Sequence, residues 1–294
     1  MISGGGNTIK YTLIGSLSLL FWAISATFVV TLKHIPTYEM LSFVFFIGLI
    51  FCILYNSTFN HWNKLKNHPP YIWICGIIGI CGNEIFFVFS FKNAPAAHAD
   101  LINYLWPILV ILFTPLLPKE KFNVKYIISA VIAFIAVIIL IIEQNDITSL
   151  TEIKHEYLIG YLCAFCAALF WTVYTLVSKF YGKLTPEMIV VYCGFGFIIS
   201  TSLHIYFENF VIPTAFDFLI LFLMGVGTHC FAYFFWDLGI KKGDIKLLTI
   251  LSYASPIISI SILILLGLVQ PSIILLFSAI LVFLSGFIGG IKIK

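Results

Sequence analysis

The chain has 294 residues, of which 61% are hydrophobic and only 10% are charged, and its mean hydropathy is +1.07. A soluble domain carries about 25% charged residues. The composition therefore excludes an ordinary soluble globular protein and predicts an all-α integral membrane protein with several spans. The net charge of +3 is spread over short loops, so the lipid bilayer, and not nucleic acid, is the expected partner.

The cysteines give no sign of a cross-link. There are seven of them, an odd number, and they are scattered through apolar runs. Cys163 and Cys166 lie three positions apart, which is typical of small apolar residues on one helix face. We infer no disulfide, no metal and no cofactor. The first apolar run, 11–32, exceeds the about 7–15 residues of a signal-peptide core, so it is interpreted as a spanning helix.

Apolar windows of the length that a spanning helix needs, about 20 residues, recur along the whole chain. The ten predicted spans are 10–32, 37–57, 70–91, 94–117, 123–142, 157–180, 187–207, 216–240, 245–267 and 271–291. The connections are short, and the longest polar stretch, 143–156, lies at the midpoint of the chain.

Lysine placement predicts the orientation, because cytoplasmic loops carry an excess of cationic residues. All sixteen cationic residues are lysines. With the N-terminus in the cytoplasm, only Lys33, Lys92 and Lys154 face outward. An even number of spans then returns the C-terminus to the cytoplasm. We predict a multi-pass protein of the cell (inner) membrane with both termini cytoplasmic and an external linker at 143–156.

The chain partly overlays itself when it is shifted by 149 residues. Rare residue types that match at this offset are Trp22 with Trp171, Tyr104 with Tyr253, and Pro107 with Pro256. This predicts a first five-helix repeat, 1–142, and a second, 157–294, joined by the linker. Because five is odd, the second repeat enters the membrane upside down. Inverted repeats of this kind recur in transporters, whose substrate sites lie near the midplane around a central cavity.

Span four carries a polar stripe at positions i, i+3, i+4 and i+7, which share one helix face. Its residues are Asp100, Asn103, Tyr104 and Pro107, and the counterparts in span nine are Thr249, Ser252, Tyr253 and Pro256. A proline leaves the carbonyl four residues back without an N–H donor, and in lipid such a group costs several kcal/mol. The stripes are therefore predicted to face a wet cavity, with the two prolines as hinges. A role in helix packing alone stays open.

Glu84 lies near the centre of span three, where a carboxylate costs about 2.5–3.5 kcal/mol on insertion scales. It could bind a substrate ammonium, carry a coupling proton, or form structural hydrogen bonds with Asn83 or a neighbouring helix. His229 in span eight is interpreted as a satisfied core group. Aromatic walls with a few polar anchors suit a small amphipathic ligand. The predicted substrate-binding residues are Trp22, Asn83, Glu84, Asp100, Asn103, Tyr104, Trp106, Trp171, Tyr233, Trp236, Ser252 and Tyr253.

Three features together resemble the drug/metabolite transporter superfamily in its EamA-type branch. They are the five-plus-five duplication, "NYLWP" at 103–107, and "FAYFFWDLGIKKGDIKLLTILSYASPIIS" at 231–259. The chain is most similar to the bacterial aromatic amino-acid exporters of that branch. The resemblance implies ten transmembrane helices in a basket around a central cavity, lined chiefly by spans one, three, four, six, eight and nine. The segment "APAAHAD" at 94–100 departs from the exporters' pattern.

These observations predict a secondary transporter that exports small metabolites, aromatic amino acids among them, by alternating access. Another solute, such as a nucleoside-like cofactor or a cationic drug, stays open, and so does uptake in place of export. An intramembrane enzyme would need clustered chemistry, such as H-E-x-x-H or a serine nucleophile with its base, and the sequence has neither pattern. A passive structural or sensor protein would not need a duplicated polar cavity.

Overall fold

The computed structural model describes residues 5–66, 68–116, 122–144, 155–181 and 186–290, and these residues contain helices and no strands. The helices are α1 Gly5–Thr31, α2 Thr37–Thr58, α3 Pro70–Asn93, α4 Ala96–Asn103, α5 Trp106–Phe113, α6 Val124–Gln144, α7 His155–Tyr181, α8 Ile189–Phe207, α9 Ala215–Leu223, α10 Ala232–Lys242, α11 Ile245–Ser252, α12 Ser255–Leu265 and α13 Ile273–Gly290. A π-helical segment, Met224–Phe231, joins α9 to α10. Most of the predicted linker 143–156 lies outside the described residues.

Eight apolar helices in the described part of the chain are long enough to cross a bilayer, which confirms a multi-pass membrane protein. They coincide with the first eight predicted spans. The ninth and tenth predicted spans fall on shorter apolar helices, 255–265 and 273–289. Within span nine the helix is interrupted between α11 and α12, as span four is between α4 and α5. The count of ten spans and the two repeat boundaries stay predictions.

The long helices pack as antiparallel pairs. Along α1 and α10, the Thr12 hydroxyl accepts a hydrogen bond from the Asp244 backbone N–H at one end (2.7 Å), and Trp22 contacts Tyr233 farther along. Along α3 and α7, the Asn83 amide donates to the Ala167 carbonyl (3.0 Å). Shifting α1 by 149 residues gives α7, and shifting α3 in the same way gives the helix that contains α10. The two pairs are therefore equivalent under the offset seen in the sequence.

Helices α2 and α8 form a third pair, which is fixed at both ends. At one end, the Glu208 carboxylate after α8 accepts hydrogen bonds from the Tyr38 and Glu39 backbone N–H groups at the start of α2, both at 3.0 Å. At the other end, Glu187 bonds the Lys64 ammonium at 2.5 Å, and its carbonyl accepts from the Asn56 amide. A carboxylate at a helix N-terminus is stabilised by the backbone N–H groups there, and the buried Glu187 carboxylate forms a charge-assisted bond to the half-exposed Lys64.

Close backbone approach between α1 and α10 depends on two glycines. A Cβ atom added at Gly239 would lie 2.6 Å from the Gly15 Cα, and one added at Gly15 would lie 2.8 Å from the Gly239 Cα. Small residues allow such contacts between membrane helices. Because the obstructing atoms belong to the backbone, side-chain rotation cannot relieve the overlap.

We therefore expect Gly239→Ala to destabilise the protein by about 1–3 kcal/mol, as overpacking does in well-packed cores. The measurement is the thermal unfolding midpoint of the protein purified in detergent. Gly194→Ala is the matched control, because a Cβ there meets only the Leu49 side chain at an ordinary 3.7 Å. Equal midpoints for the two variants would contradict a tight α1–α10 contact.

Candidate functional site

Two helix breaks with the same backbone hydrogen bonds lie at positions 149 residues apart. Between α4 and α5, the Leu105 N–H donates to the Ile102 carbonyl (3.1 Å), and between α11 and α12, the Ala254 N–H donates to the Leu251 carbonyl (3.0 Å). Each break is followed by a proline, Pro107 or Pro256, at the start of the next helix. The prolines cannot donate to the carbonyls four residues back. Both predicted hinge prolines thus lie where a long helix divides in two.

A cavity of about 60 Å³ lies beside these breaks. Its lining residues are Leu19, Trp22, Ser25, Asn83, Glu84, Phe87, Asp100, Asn103, Tyr104, Trp106, Trp171, Tyr233 and Ser255. Small-molecule pockets usually measure roughly 300–1,000 Å³, whereas this volume suits a few water molecules. The cavity is therefore too small for a ligand the size of an amino acid, which requires the walls to separate.

Aromatic side chains in mutual edge contact form one side of the wall. The Trp22 ring on α1 lies 5.6 Å from Trp171, 5.8 Å from Tyr233 and 5.5 Å from Trp236, measured between centroids. Trp171 also contacts Trp106 on α5 at 6.1 Å. Such edge-to-face pairs stabilise by about 0.5–1.5 kcal/mol beyond their buried area. Trp22 and Trp171, which the offset relates, therefore meet at the centre of the aromatic wall.

Glu84 on α3 faces His229. The interpretation of His229 as a core group with all its hydrogen bonds made does not account for this approach. The Glu84 Oε1 lies 3.4 Å from the His229 Nε2, and the Glu84 and His229 side chains are 14% and 3% exposed. The other ring nitrogen, Nδ1, lies 2.8 Å from the Thr228 hydroxyl, which donates to the Met224 carbonyl. Since that hydroxyl uses its hydrogen there, Nδ1–H of His229 must donate to it. Nε2 of the neutral ring then carries a lone pair, and so does the Glu84 Oε1 that faces it. Their approach is favourable only when one proton lies between them.

His229 lies within the π-helical segment, Met224–Phe231. A π-helical turn adds one residue to the turn and shifts every later side chain around the helix axis. Regular helical spacing applied to span eight therefore could not place His229 opposite Glu84. The sequence signal that could have indicated it is the group Gly225, Gly227 and Thr228, which combines small residues with a hydroxyl in an apolar span.

Asp100 on α4 is 1% exposed and lines the cavity. One of its carboxylate oxygens, Oδ2, has no hydrogen-bond partner among the described residues, and neither has the Asn103 side-chain oxygen. The nearby Asn83, by contrast, uses its amide to hold α7. Buried polar groups normally have partners, so Asp100 and Asn103 are available to a group that enters the cavity.

The structure places three of the predicted binding residues elsewhere. Trp236 supports the wall from behind, through its contact with Trp22. Ser252 and Tyr253 are buried at the break between α11 and α12, outside the cavity lining. Tyr253 packs against α13, where a Cβ added at Gly286 would lie 2.2 Å from its ring. The Thr249 side chain lies outside the described part.

The remaining predicted binding residues all line the cavity. Sequence reasoning missed Leu19, Ser25, Phe87 and Ser255. Ser255 had a usable signal, because it is the counterpart of Trp106 at the 149-residue offset, and both residues begin the helix after a break.

Comparison with known proteins gives a consistent set of matches. The profile of the EamA-like transporter family matches residues 9–142 and 158–288. The aromatic amino acid exporter YddG of Ancylobacter novellus is 30% identical over 261 residues, which cover 89% of this chain and 90% of that protein. The exporter of the same name from Salmonella typhimurium is 26% identical over 206 residues, covering 66% of this chain and 68% of that protein. A solved crystal structure aligns with a TM-score of 0.75 at 29% identity and covers 96% of this chain and 97% of that one.

The contact between Glu84 and His229 predicts energetic coupling. In a double-mutant cycle of Glu84→Gln and His229→Gln, we expect a coupling free energy of about 0.5–3 kcal/mol, the range for residues in direct contact. The measurement is thermal unfolding of the four proteins in detergent. A control cycle pairs Glu84→Gln with His204→Gln, because His204 bonds Glu208 at the end of α8. Coupling no larger than in the control cycle would contradict the pair.

Proposed function

Because the chain belongs to the EamA-like transporter family, whose profile matches 9–142 and 158–288, we propose that it exports aromatic amino acids as a secondary transporter of the cell membrane. Family membership makes it a transporter and not an enzyme. The observation that carries the substrate proposal is the cavity beside the two helix breaks, where aromatic walls surround two carboxyl groups.

The chemistry of the cavity supports an amphipathic solute with one flat apolar end. An aromatic side chain of the solute would contact ring faces and edges, which come from Trp22, Trp106, Trp171 and Tyr233. The ammonium group of the solute would contact oxygens, which come from Glu84, Asp100 and Asn103. The relatives that are named aromatic amino acid exporters, of which the one from Ancylobacter novellus is matched over 90% of its length, support the same class of substrate.

The architecture that we propose is ten spans in two inverted five-helix repeats, with both termini in the cytoplasm. The equivalent α1–α10 and α3–α7 pairs support it, as do the matched breaks before Pro107 and Pro256. In this arrangement the halves can exchange conformations, so inward-open and outward-open states have similar free energies and a ligand or proton gradient can shift their populations. The two prolines would act as hinges for this exchange.

A second candidate substrate is an aromatic cation, such as an amine or a cationic drug. Among the described residues, the cavity lining includes Glu84 and Asp100 but no lysine, and the chain contains no arginine. The carboxylate of an amino acid therefore has no strong cationic partner at this site apart from His229. This charge balance favours an amine over a zwitterion of the same shape.

The decisive experiment is transport by the purified protein in proteoliposomes, with radiolabelled amino acids and phenethylamine as competing candidates, with and without a pH gradient. We expect Trp22→Phe to raise the apparent KM for phenylalanine about tenfold, a loss of about 1.4 kcal/mol in binding, with little change for alanine. Trp62→Phe is the control, because Trp62 is 39% exposed and lies between α2 and α3. An unchanged preference for aromatic solutes in Trp22→Phe would refute the aromatic wall as the recognition element.

Glu84→Gln tests the coupling role of the carboxyl group. We expect the variant to fold normally but to lose the response of flux to a pH gradient, because it cannot share a proton with His229. Flux is measured in the same proteoliposomes, with Glu143→Gln at the end of α6 as the control. Wild-type flux and wild-type pH response from Glu84→Gln would remove Glu84 from the mechanism.

A further inference from the structure

The strongest unexplained feature of the molecule is the Asp100 carboxylate. It is 1% exposed, yet its Oδ2 has no hydrogen-bond partner among the described residues. A buried charge without a partner costs far more free energy than a paired one. Glu84, the other carboxyl group at the cavity, has His229 opposite it. No histidine or lysine among the described residues forms an ion pair with Asp100, so the buried position of its carboxyl group requires a different explanation.

Further oxygens without partners lie around the same carboxylate. The Asn103 side-chain oxygen and the Ser255 hydroxyl both line the cavity with Asp100, and neither has a hydrogen-bond partner in the described part of the chain. The Ser259 hydroxyl on α12 lies beside the Asp100 carboxyl and the Tyr104 hydroxyl and interacts with both side chains. Three unsatisfied oxygens from α4 and α12, with the Ser259 hydroxyl next to Asp100, thus converge in a cavity whose described lining contains no lysine.

The backbone adds to this preference for positive charge. Helix α4 ends at Asn103, and the C-terminal end of a helix carries the negative end of its dipole. Pro107 has no N–H for the Asn103 carbonyl, so that carbonyl is a further acceptor at the break. In transporters with interrupted helices, carbonyls at such breaks and half-helix C-termini coordinate cations.

We propose that Asp100, Asn103, Ser255 and Ser259 form a binding site for a monovalent cation at the break between α4 and α5. The cation is either the ammonium group of the solute or a free alkali ion. The site is separate from Glu84, which faces His229 across 3.4 Å. The cation site rests on these atoms alone, whereas assigning it to the solute's ammonium group rests on the proposed function.

The donor set argues for a monovalent cation over a metal of higher charge. The four side chains supply only one carboxylate, and the other donors are neutral oxygens. Transition metals prefer imidazole and thiolate ligands, and no group of three His, Cys, Asp or Glu residues that could hold a metal occurs among the described residues. Divalent cations in proteins take carboxylates in larger number and keep several waters.

The first test uses the full-length protein in detergent and does not depend on the solute. Thermal unfolding is measured at constant ionic strength in chlorides of sodium, potassium, methylammonium and N-methylglucamine, the last being too large for the site. We expect sodium or methylammonium to raise the midpoint by about 2–4 °C over N-methylglucamine. Asp100→Asn should abolish this rise. In N-methylglucamine alone, Asp100→Asn should unfold at a higher temperature than the wild type, because the unpaired charge is gone.

The second test distinguishes the two sources of the cation. Binding of phenethylamine, which keeps the ammonium, and of 3-phenylpropionate, which lacks it, is measured by calorimetry with and without sodium. If the solute's ammonium fills the site, Asp100→Asn weakens phenethylamine binding about 30-fold or more and leaves 3-phenylpropionate unchanged. If an alkali ion fills it, sodium strengthens the binding of both ligands to the wild type but not to the variant.

Asp244→Asn is the matched control, because Asp244 is exposed and its carboxylate accepts the Leu247 N–H at the start of α11, a bond that an asparagine side chain also accepts. Ser259→Ala supplies a second variant should Asp100→Asn fail to fold, and it should reduce the cation response. The proposal is overturned if wild-type stability is the same in all four chlorides and phenethylamine binds equally to wild type and Asp100→Asn. Should neither aromatic ligand bind the wild type while the sodium response persists, the proposed function fails and the cation site stands.

Discussion

The hydrocarbon of a bilayer offers no hydrogen-bond partner, so every polar group that this chain carries to the membrane interior must be satisfied by protein or by a hydrated cavity. The described part of the chain has matched helix breaks before Pro107 and before Pro256, and it buries carboxyl groups next to the first of them. The helices around these groups present their apolar faces outward and turn the breaks inward. The position of the cavity follows from this constraint.

The packing around the cavity divides into a fixed part and an adjustable part. The α2–α8 pair is held at both ends by carboxylates, Glu208 at one end and Glu187 at the other. The wall of the cavity, in contrast, is held by ring contacts around Trp22 and Trp171, each of which contributes only about 0.5–1.5 kcal/mol beyond its buried area. Opening a cavity of about 60 Å³ to admit a solute therefore requires separation of aromatic rings, while the end contacts of α2 and α8 can remain.

Helical periodicity and the internal offset predicted much of this site from the sequence. Asp100, Asn103 and Tyr104 share a face because their spacing is that of an α-helix, and Trp22 and Trp171 meet because the offset relates them. The same reasoning failed for Tyr253, the counterpart of Tyr104. At the offset position of Gly286 the first half has Val137. Tyr253 fills the space that Gly286 leaves on α13. Val137 leaves no equivalent space for Tyr104, and Tyr104 lines the cavity instead. His229 was missed for a different reason, since the π-helical segment around it breaks the regular period.

These departures from internal symmetry have a consequence for binding. The offset pairs Glu84 with Tyr233 and Trp106 with Ser255, and all four side chains line the cavity. The backbone of the two halves is alike at the breaks, yet both carboxyl groups come from the first half. A symmetric cavity would hold an elongated solute equally well in two opposite directions. Because Asp100 and the unpartnered oxygen of Asn103 lie on α4, a solute with one cationic end and one aromatic end would have a single favourable orientation, with its cation toward the α4–α5 break and its ring against Trp22 and Trp171.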